Sequence, residues 1–488
     1  MSKQDFITKL QNRIDINEIN KDYQKFLDLN VVVAGWIMTL RPQKKRVFMK
    51  LSDSAGSKIQ PIQIVCDKKI FGETLDHLTA GASIMICGQL IKSPAPEQPF
   101  EISANVVHVL GIVKDPSSYP LAKADLPMDL LRTIPHLECH TPIKAAIYVI
   151  RSQLMEALIN FFRGAYIKVD MPLITFSECE GGCQPMQTTL FLTTGKIIDI
   201  PRKSNDTGLI DFSKDFFGTK SLLTVSSQME LETQLPLGDV WTVTRAIRGE
   251  PSQTSKHLCE FSMIEFEKRF SSSAKDIIQI SEQCIKFCIQ HVLNHCAKEL
   301  SFLEAKLEKP IITKLMRYFE TPFVRITHAQ AIDMIHKQKE QFNVIPSYSD
   351  DLSSEHEKFI VDHFGLPVVV QKYPKQVKAF YMPVVEETLE ESHGVEHVDS
   401  FDILVPEVGE LVGGSQRIHD ADQLTDRIRE LGIDEKPLEF YIELRRNGTI
   451  PHGGMGMGFE RLVRFITRVD SVKDCVPFPR YIGCGKSQ

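Results

Sequence analysis

The stretch 451-PHGGMGMGFERLVRF-465 sets four glycines among the six residues Gly453 to Gly458, directly before Phe459, Glu460, Arg461 and Leu462. Glycine at this density lets backbone come very close to another group, because no Cβ stands in the way. Three readings compete. A phosphate-cradling P-loop ends in Gly-Lys-Ser/Thr, whereas Gly458 is followed by Phe459 and Glu460. A dinucleotide fingerprint opens an early βαβ unit and is answered by an acid about 20 residues later, whereas this stretch lies far along the chain. The third reading is a strand of small residues running into a helix, with Phe459, Leu462, Val463, Ile466 and Val469 inward and Arg461 in its first turn. The glycines then let a flat ligand lie on the backbone, and the arginine covers its other face or reaches a phosphate.

Outward from that stretch, 488 residues are too many for one ordinary core and predict two or three domains. A hydrophobic fraction of 42% with 25% charged residues is that of a water-soluble globular chain. The longest apolar candidate, Val31 to Leu40, stops at Arg41, so no membrane span is expected. The opening MSKQDFITKL mixes charge with apolar residues too early for a secretion signal, and a cytoplasmic protein is expected. A net charge of -6 neither points to nucleic acid nor excludes it, since a local basic face is what matters. Eleven cysteines, an odd number at irregular spacing, indicate a reducing compartment rather than a disulfide framework. Cys284, Cys288, His291 and His295 share one face of a helix, but Ile285, Val292 and Leu293 make a buried, metal-free helix the expectation. Cys179 and Cys183 are read as incidental.

From about residue 28 to 112, five apolar runs alternate with turn-rich RPQKK, SAGSK and SPAPEQP, which predicts a small barrel of the oligonucleotide-binding type. Arg41, Lys44, Lys45 and Arg46 beside Trp36 and Phe48 suit phosphates and unpaired bases. Residues 114–141 are rich in proline and loop formers and read as a hinge after a 1–113 N-terminal segment and barrel. A helix follows from Pro142, with Ile143, Ile147, Ile150, Leu154, Ala157, Leu158 and Phe161 at helical spacing up to Gly164, then a strand-like YIKVDMPLIT. Strands and helices alternate through 142–488 without regular βαβ spacing. The fold class is therefore α+β, with a mixed, mainly antiparallel sheet flanked by helices.

GMGMGFERL resembles motif 3 of the class II aminoacyl-tRNA synthetases. YIKVDMPLIT, with Pro172, resembles motif 1, and RGEPSQTSKHLCEFSMIEFE resembles motif 2; the three occur in the required order. The similarity runs from about residue 28 onward and is nearest to the asparaginyl and aspartyl branch, whose members carry an N-terminal anticodon-binding barrel. GWIMTLR, DFFG, LTVSSQ, KAFYM, VGELVGGSQRIHD and CVPFPR look more asparaginyl than aspartyl.

The resemblance implies a two-step reaction. An amino acid carboxylate attacks the α-phosphate of ATP, then a ribose hydroxyl of tRNA attacks the adenylate. Arg248 is implied at the α-phosphate and α-carboxylate, Glu250 at the adenine amino group, His257, Lys256 and Arg461 at the outer phosphates, and Phe261 on the adenine face. Asp402 and Glu410 match acids that carry Mg2+. Glu180 and Gln228 match residues on the substrate α-amino group, and Arg417 one on its side-chain oxygen. Phe48 matches the aromatic on the central anticodon base, Gln63 the amide bonded to it, and Arg41 a neighbouring base or phosphate contact. A homodimer through motif 1 is implied as well.

Several positions depart from the pattern. Lys256 stands where arginine is usual, Ile247 where an aromatic is usual, and Arg245 competes with Arg248 for the motif 2 register. The loop ECEGGCQPMQTT differs after Gly181. LEFYIEL alternates like a strand where the family has a helix, and a helix is expected. Asparagine and aspartate nearly share a shape, so charge must separate them. Leu231 replaces a lysine of aspartyl enzymes, three residues after Gln228, and Glu265 is placed to accept from an amide and repel a carboxylate. Asparagine and tRNA(Asn) are the substrates implied. A non-discriminating aspartyl enzyme, a paralogue that amidates aspartyl adenylate, and a non-catalytic RNA-binding relative are the alternatives.

Overall fold

The computed structural model describes residues 3–122, 126–177, 185–193, 195–196, 200–203, 209–252, 254–386 and 393–486. Two compact units divide the chain. One is Met1–Ser152 with Cys296–Lys309 and Gly485–Gln488, the other Gln153–His295 with Pro310–Cys484.

In the first unit β1 (Asn30–Pro42), β2 (Arg46–Ser52), β3 (Ile62–Asp67), β4 (Ser83–Lys92) and β5 (Phe100–Gly111) close into a barrel in the order β1-β2-β3-β5-β4. These are the five apolar runs expected, and their two-residue alternation decides which side faces in. Val47, Met49 and Leu51 of β2 are buried, while Arg46, Phe48 and Lys50 point outward.

The second unit opens with β6 (Ile167–Lys168), followed by β7 (Ile174–Thr175), β8 (Gln187–Thr188) and β9 (Ser221–Leu223), which form a three-stranded sheet of their own. Next come β10 (Val240–Ile247), β11 (Glu260–Arg269), β12 (Val324–Thr327), β13 (Val368–Gln371), β14 (Ser400–Val405), β15 (Gly409–Gln416) and β16 (His452–Gly458). With β6 they build an eight-stranded sheet, β12-β13-β14-β15-β16-β11-β10-β6. Only its two ends, β12/β13 and β10/β6, pair in parallel, so the sheet is mixed and mainly antiparallel, as expected.

The helix Ala274–His295 packs on β14, β15 and β16. Cys284 and Cys288 belong to its buried face, along with Ile277, Ile285 and Val292. His291 instead meets Gln153 at 3.0 Å, and the exposed His295 stacks on the His291 ring. The helix expected from Pro142 runs to Phe162, but the residue in the core at its end is Phe162, stacked on Trp241, while Phe161 is half-buried. YIKVDMPLIT is not one strand: it pairs as β6 and again as β7, in different sheets, with Val169–Leu173 between them. LEFYIEL is helical, with Leu438 closing a 3-10 turn and Glu439–Arg446 an α-helix whose Tyr441, Ile442 and Arg445 are buried. Its alternation is overridden by the spacing of those three residues along one helical face.

Candidate active site

The register of the central strands explains the glycines. Thr242, Glu265, Gly456, Gly413 and Asp402 lie side by side across β10, β11, β16, β15 and β14 and so share one face of the sheet. Two of these five have no side chain. Between Glu265 and Asp402 the sheet is therefore bare over three strand spacings, about 14 Å. Along β11 the same face carries Phe261, Met263, Glu265 and Glu267 in two-residue steps.

Gly454 serves a different purpose. A Cβ there would fall 2.2 Å from Oε1 of Glu267, so this glycine makes room for a protein carboxylate and not for a ligand. Gly456 and Gly458 do line the cleft. As expected, Phe459, Leu462, Val463, Ile466 and Val469 are buried, and Arg461 leaves the first turn of the helix Phe459–Thr467 toward the cleft.

Above this floor is a cleft of about 430 Å3. Arg248, Glu250, Lys256, His257, Phe261, Asp402, Glu410 and Arg461 all line it, and so do Gln228, Glu265 and Arg417. Arg248 follows β10 and continues its pairing, N–H to the Cys259 carbonyl at 2.8 Å, which places its guanidinium over the Phe261 ring at 5.5 Å. Arg245 is half-exposed and turned to Glu260, and it does not line the cleft as Arg248 does. His257 Nδ1 lies 2.9 Å from Ser252 Oγ and 2.6 Å from Thr254 Oγ1. Burial, and then the Arg461 charge, pull its pKa below the ordinary histidine value.

The two acids are each held by one cation. Lys378 Nζ binds Asp402 Oδ2 at 2.8 Å, and Arg461 Nη1 lies 3.3 Å from Glu410 Oε2. Their other oxygens converge, since a Cβ on Gly413 would be 3.3 Å from Glu410 Oε1 and 3.4 Å from Asp402 Oδ1. Burial, reinforced by the Glu410 charge, lifts the Asp402 pKa to about 6 despite Lys378. The Glu410 side chain is part-exposed in the cleft; desolvation there works against its charge, yet Arg461 and Lys378 hold its pKa below the usual carboxylate value. Converging carboxylate oxygens, open to a polyanionic ligand, fit a hard divalent cation. Lys256 is tied to Glu357 of the helix Ser354–Phe364 at 2.9 Å, and Gly409 packs on that pair.

At the other end Arg417 is fully buried. It gives Nη2 and Nε to Glu267 at 2.7 and 3.4 Å and Nη1 to Ser415 at 2.6 Å, with Tyr381 under its guanidinium. Gln228 donates to Glu232 at 3.0 Å, and Glu232 also receives Tyr441, Arg445 and His452. Glu232, Glu267 and His452 are close enough to hold a metal ion, but Arg417 and Arg445 already supply the positive charge there. Leu231 points elsewhere, into an apolar cluster with Leu235, Val240, Val169 and Met171, so on this short helix it is Glu232 and not residue 231 that bonds Gln228.

Glu180 lies outside the described residues. The barrel residues form a separate group: Arg41 and Phe48 are cross-strand neighbours, Lys50 faces Gln63, and Gln63 Nε2 donates to Glu101 at 2.9 Å. Phe48 is on the outer face, not in the barrel core. Lys378, Glu357, Glu232, Glu267 and Arg445 were not picked out from sequence. The signals were the lysine of KAFYM, the i, i+4 spacing of Gln228 and Glu232, and the two-residue step from Glu265 to Glu267.

Residues 128–482 match the family model described as tRNA synthetases class II (D, K and N). The chain belongs to the class II aminoacyl-tRNA synthetases. Residues 31–110 of this synthetase match a second model, the OB-fold nucleic acid binding domain. It is 37% identical over 473 residues to an asparagine–tRNA ligase of Cytophaga hutchinsonii, covering 96% of this chain and 98% of that one. It is likewise 37% identical over 460 residues to an asparagine–tRNA ligase of Yersinia enterocolitica, covering 93% and 95%. Among solved structures it resembles the asparaginyl-tRNA synthetase of Pyrococcus horikoshii complexed with asparaginyl-adenylate, with a TM-score of 0.80, 28% identity and coverage of 96% and 98%. No helix among the described residues of the synthetase is long and apolar enough to cross a membrane.

Proposed function

We propose that this synthetase is an asparagine–tRNA ligase, activating asparagine with ATP and transferring it to tRNA(Asn). One observation carries the reading: groups suited to a nucleotide (Phe261, Arg248), a divalent cation (Asp402, Glu410) and a small zwitterion (Glu265, Arg417) line one cleft over a cleared sheet face. In this reading 1–113 hold the anticodon barrel, 114–141 the hinge and 142–488 the catalytic domain.

Neither step needs a protein nucleophile, because the phosphoanhydride already supplies the activation. The protein aligns the reactants and places charge where the transition state develops it. Phe261 and Glu250 seat the adenine by stacking and by accepting from its amino group. Arg248 draws the α-phosphate and the substrate carboxylate together, while His257, Lys256 and Arg461 hold the outer phosphates. Asp402 and Glu410 are the residues that would hold Mg2+, which when bound neutralises phosphate charge. Gln228 and Glu180 take the α-amino group. Arg417 has spent three of its five N–H donors inside the protein and turns the others to the side-chain oxygen. Glu265 accepts from the side-chain amide.

On the barrel, Phe48 stacks on the central anticodon base, Gln63 bonds its edge and Arg41 meets a neighbour. Glu101 can only accept, so it takes the Gln63 amide N–H and leaves the Gln63 oxygen for a base N–H. Free thiols at the described cysteines support a cytoplasmic location. A homodimer through motif 1 is supported by exposed Ile167, Leu173 and Phe176 just beyond its helix, and light scattering after size exclusion measures it. The function is tested by pyrophosphate exchange with asparagine and with aspartate, with and without tRNA, followed by charging of tRNA(Asn). Exchange with asparagine alone supports the reading, exchange with aspartate overturns the substrate, and exchange with neither overturns the catalysis.

A further inference from the structure

Ser226 and Ser227 form the turn between β9 and the helix Gln228–Glu232, and both face Glu265 of β11. The backbone N–H of Ser227 donates to Glu265 Oε2 at 3.0 Å, and the Ser226 hydroxyl bonds Oε1. The second bond has a fixed direction. Ser226 Oγ accepts the N–H of Gln228 at 3.2 Å, which leaves its proton for the carboxylate. Thr224 holds the turn by donating to the Ser226 carbonyl at 2.6 Å, and Ser226, Ser227 and Glu265 are all buried. Both oxygens of Glu265 therefore stand as acceptors inside the protein. A proton on either would have to share an oxygen that already accepts.

We infer that the Ser226 hydroxyl and the Ser227 N–H are the positioning pair for amide specificity: they fix Glu265 as an acceptor-only group that welcomes a substrate side-chain N–H and repels a substrate carboxylate. The inference rests on the asparagine reading of the cleft. Residue 227 supplies its donor only because it is not proline, which has no N–H. Neither serine needs to touch the reacting atoms.

The test uses the full chain and the ratio of kcat/KM for asparagine over aspartate in pyrophosphate exchange, with asparagine binding by calorimetry as a second readout. S226A is expected to cut the ratio about tenfold, chiefly through the KM for asparagine, because a bond to a charged group is worth at least that factor. The KM for ATP should stay within about twofold. S226T restores the hydroxyl and should restore the ratio. S227P should mimic S226A, and S227A, which keeps the N–H, should keep the ratio. If S227P does not fold, the S226A and S226T pair decides. A wild-type ratio in S226A, or equal movement of the KM values for asparagine and ATP, overturns the inference. A wild-type chain that prefers aspartate refutes instead the reading on which it rests.

Discussion

Two neighbouring glycines of β16 should fail in opposite ways when each is given a methyl group. A Cβ on Gly456 meets Met263 Sδ at 3.2 Å and otherwise only the more distant carbons of that side chain. A thioether end shifts easily by a few tenths of an ångström, so G456A should cost less than about 1 kcal/mol of stability. Its methyl nevertheless stands on the bare floor between Glu265 and Gly413. A substrate lifted by about 1 Å loses near-attack alignment, a loss of roughly a hundredfold, or about 2.7 kcal/mol, in kcat/KM for exchange. Gly454 is the reverse case. Its Cβ would lie 2.2 Å from Glu267 Oε1 and 2.3 Å from the Phe266 carbonyl oxygen, and that Oε1 accepts Arg417 at 2.7 Å. Relief means breaking a buried ion pair, about 3–5 kcal/mol, against a total stability of about 5–15 kcal/mol. Urea melts and pyrophosphate exchange on both variants separate the two. A G456A enzyme that keeps most of its kcat/KM, or a G454A protein as stable as the parent, would refute the floor geometry.

G409A forces a residue at φ 83° to carry a Cβ 2.3 Å from Glu357 Oε2 and 2.6 Å from Lys256 Nζ; the KM for ATP should rise about tenfold while that for asparagine holds, read by exchange. F48A removes the outward aromatic of the barrel, and since a stacked base is worth about 1–3 kcal/mol, the KM for tRNA should rise tenfold or more while tRNA-free exchange is untouched. His328 is buried with Nε2 on the Asp350 carbonyl oxygen, and burial pulls its pKa from 6.5 to about 4. The unfolded chain therefore takes a proton that the folded one refuses, so this stabilisation is complete above pH 6.5 and is lost as pH falls toward 4, by up to about 3 kcal/mol. H328N should flatten that slope in urea melts across the same pH range.

Elements whose burial pattern is local could be read from the chain itself. Alternation is clear along Arg46–Leu51 of β2, and the run from Gly453 to Val469 carries both the strand and the helical spacing of its apolar residues. LEFYIEL shows the limit: its alternation is compatible with a strand, and only packing of Tyr441 and Arg445 on Glu232, far away in sequence, makes it a helix. The cleft acids and bases were legible for the same local reason, since residues two apart on β11 and residues in the first turn of a helix have predictable directions. What those charges bind was not. Lys256 with Glu357, Lys378 with Asp402 and Arg417 with Glu267 are tertiary pairings between separate elements, and no spacing rule links them. The surroundings of Leu231 were not legible either: the short helix turns it into an apolar cluster and brings Glu232 to Gln228.

That exchange of neighbours bears on why so much charge is buried at one end of the cleft. Glu232, Glu267, Arg417 and Arg445 have almost no contact with solvent. Desolvating two pairs of opposite ions is costly, and apolar residues of similar volume in such places are often neutral or stabilising by about 1–4 kcal/mol. Stability is thus a poor reason for the network, whereas orientation is a good one. Two bonds from Glu267 and one from Ser415 stop the Arg417 guanidinium from turning, just as Ser226 and Ser227 stop the Glu265 carboxylate. An amide and a carboxylate differ by little more than the charge and the N–H on one terminal atom, so groups free to rotate would adapt to either ligand. Discrimination needs an acceptor and a donor that cannot adapt, and in the proposed asparagine site a rigid buried ion network would supply them at the expense of stability that an apolar floor would have given.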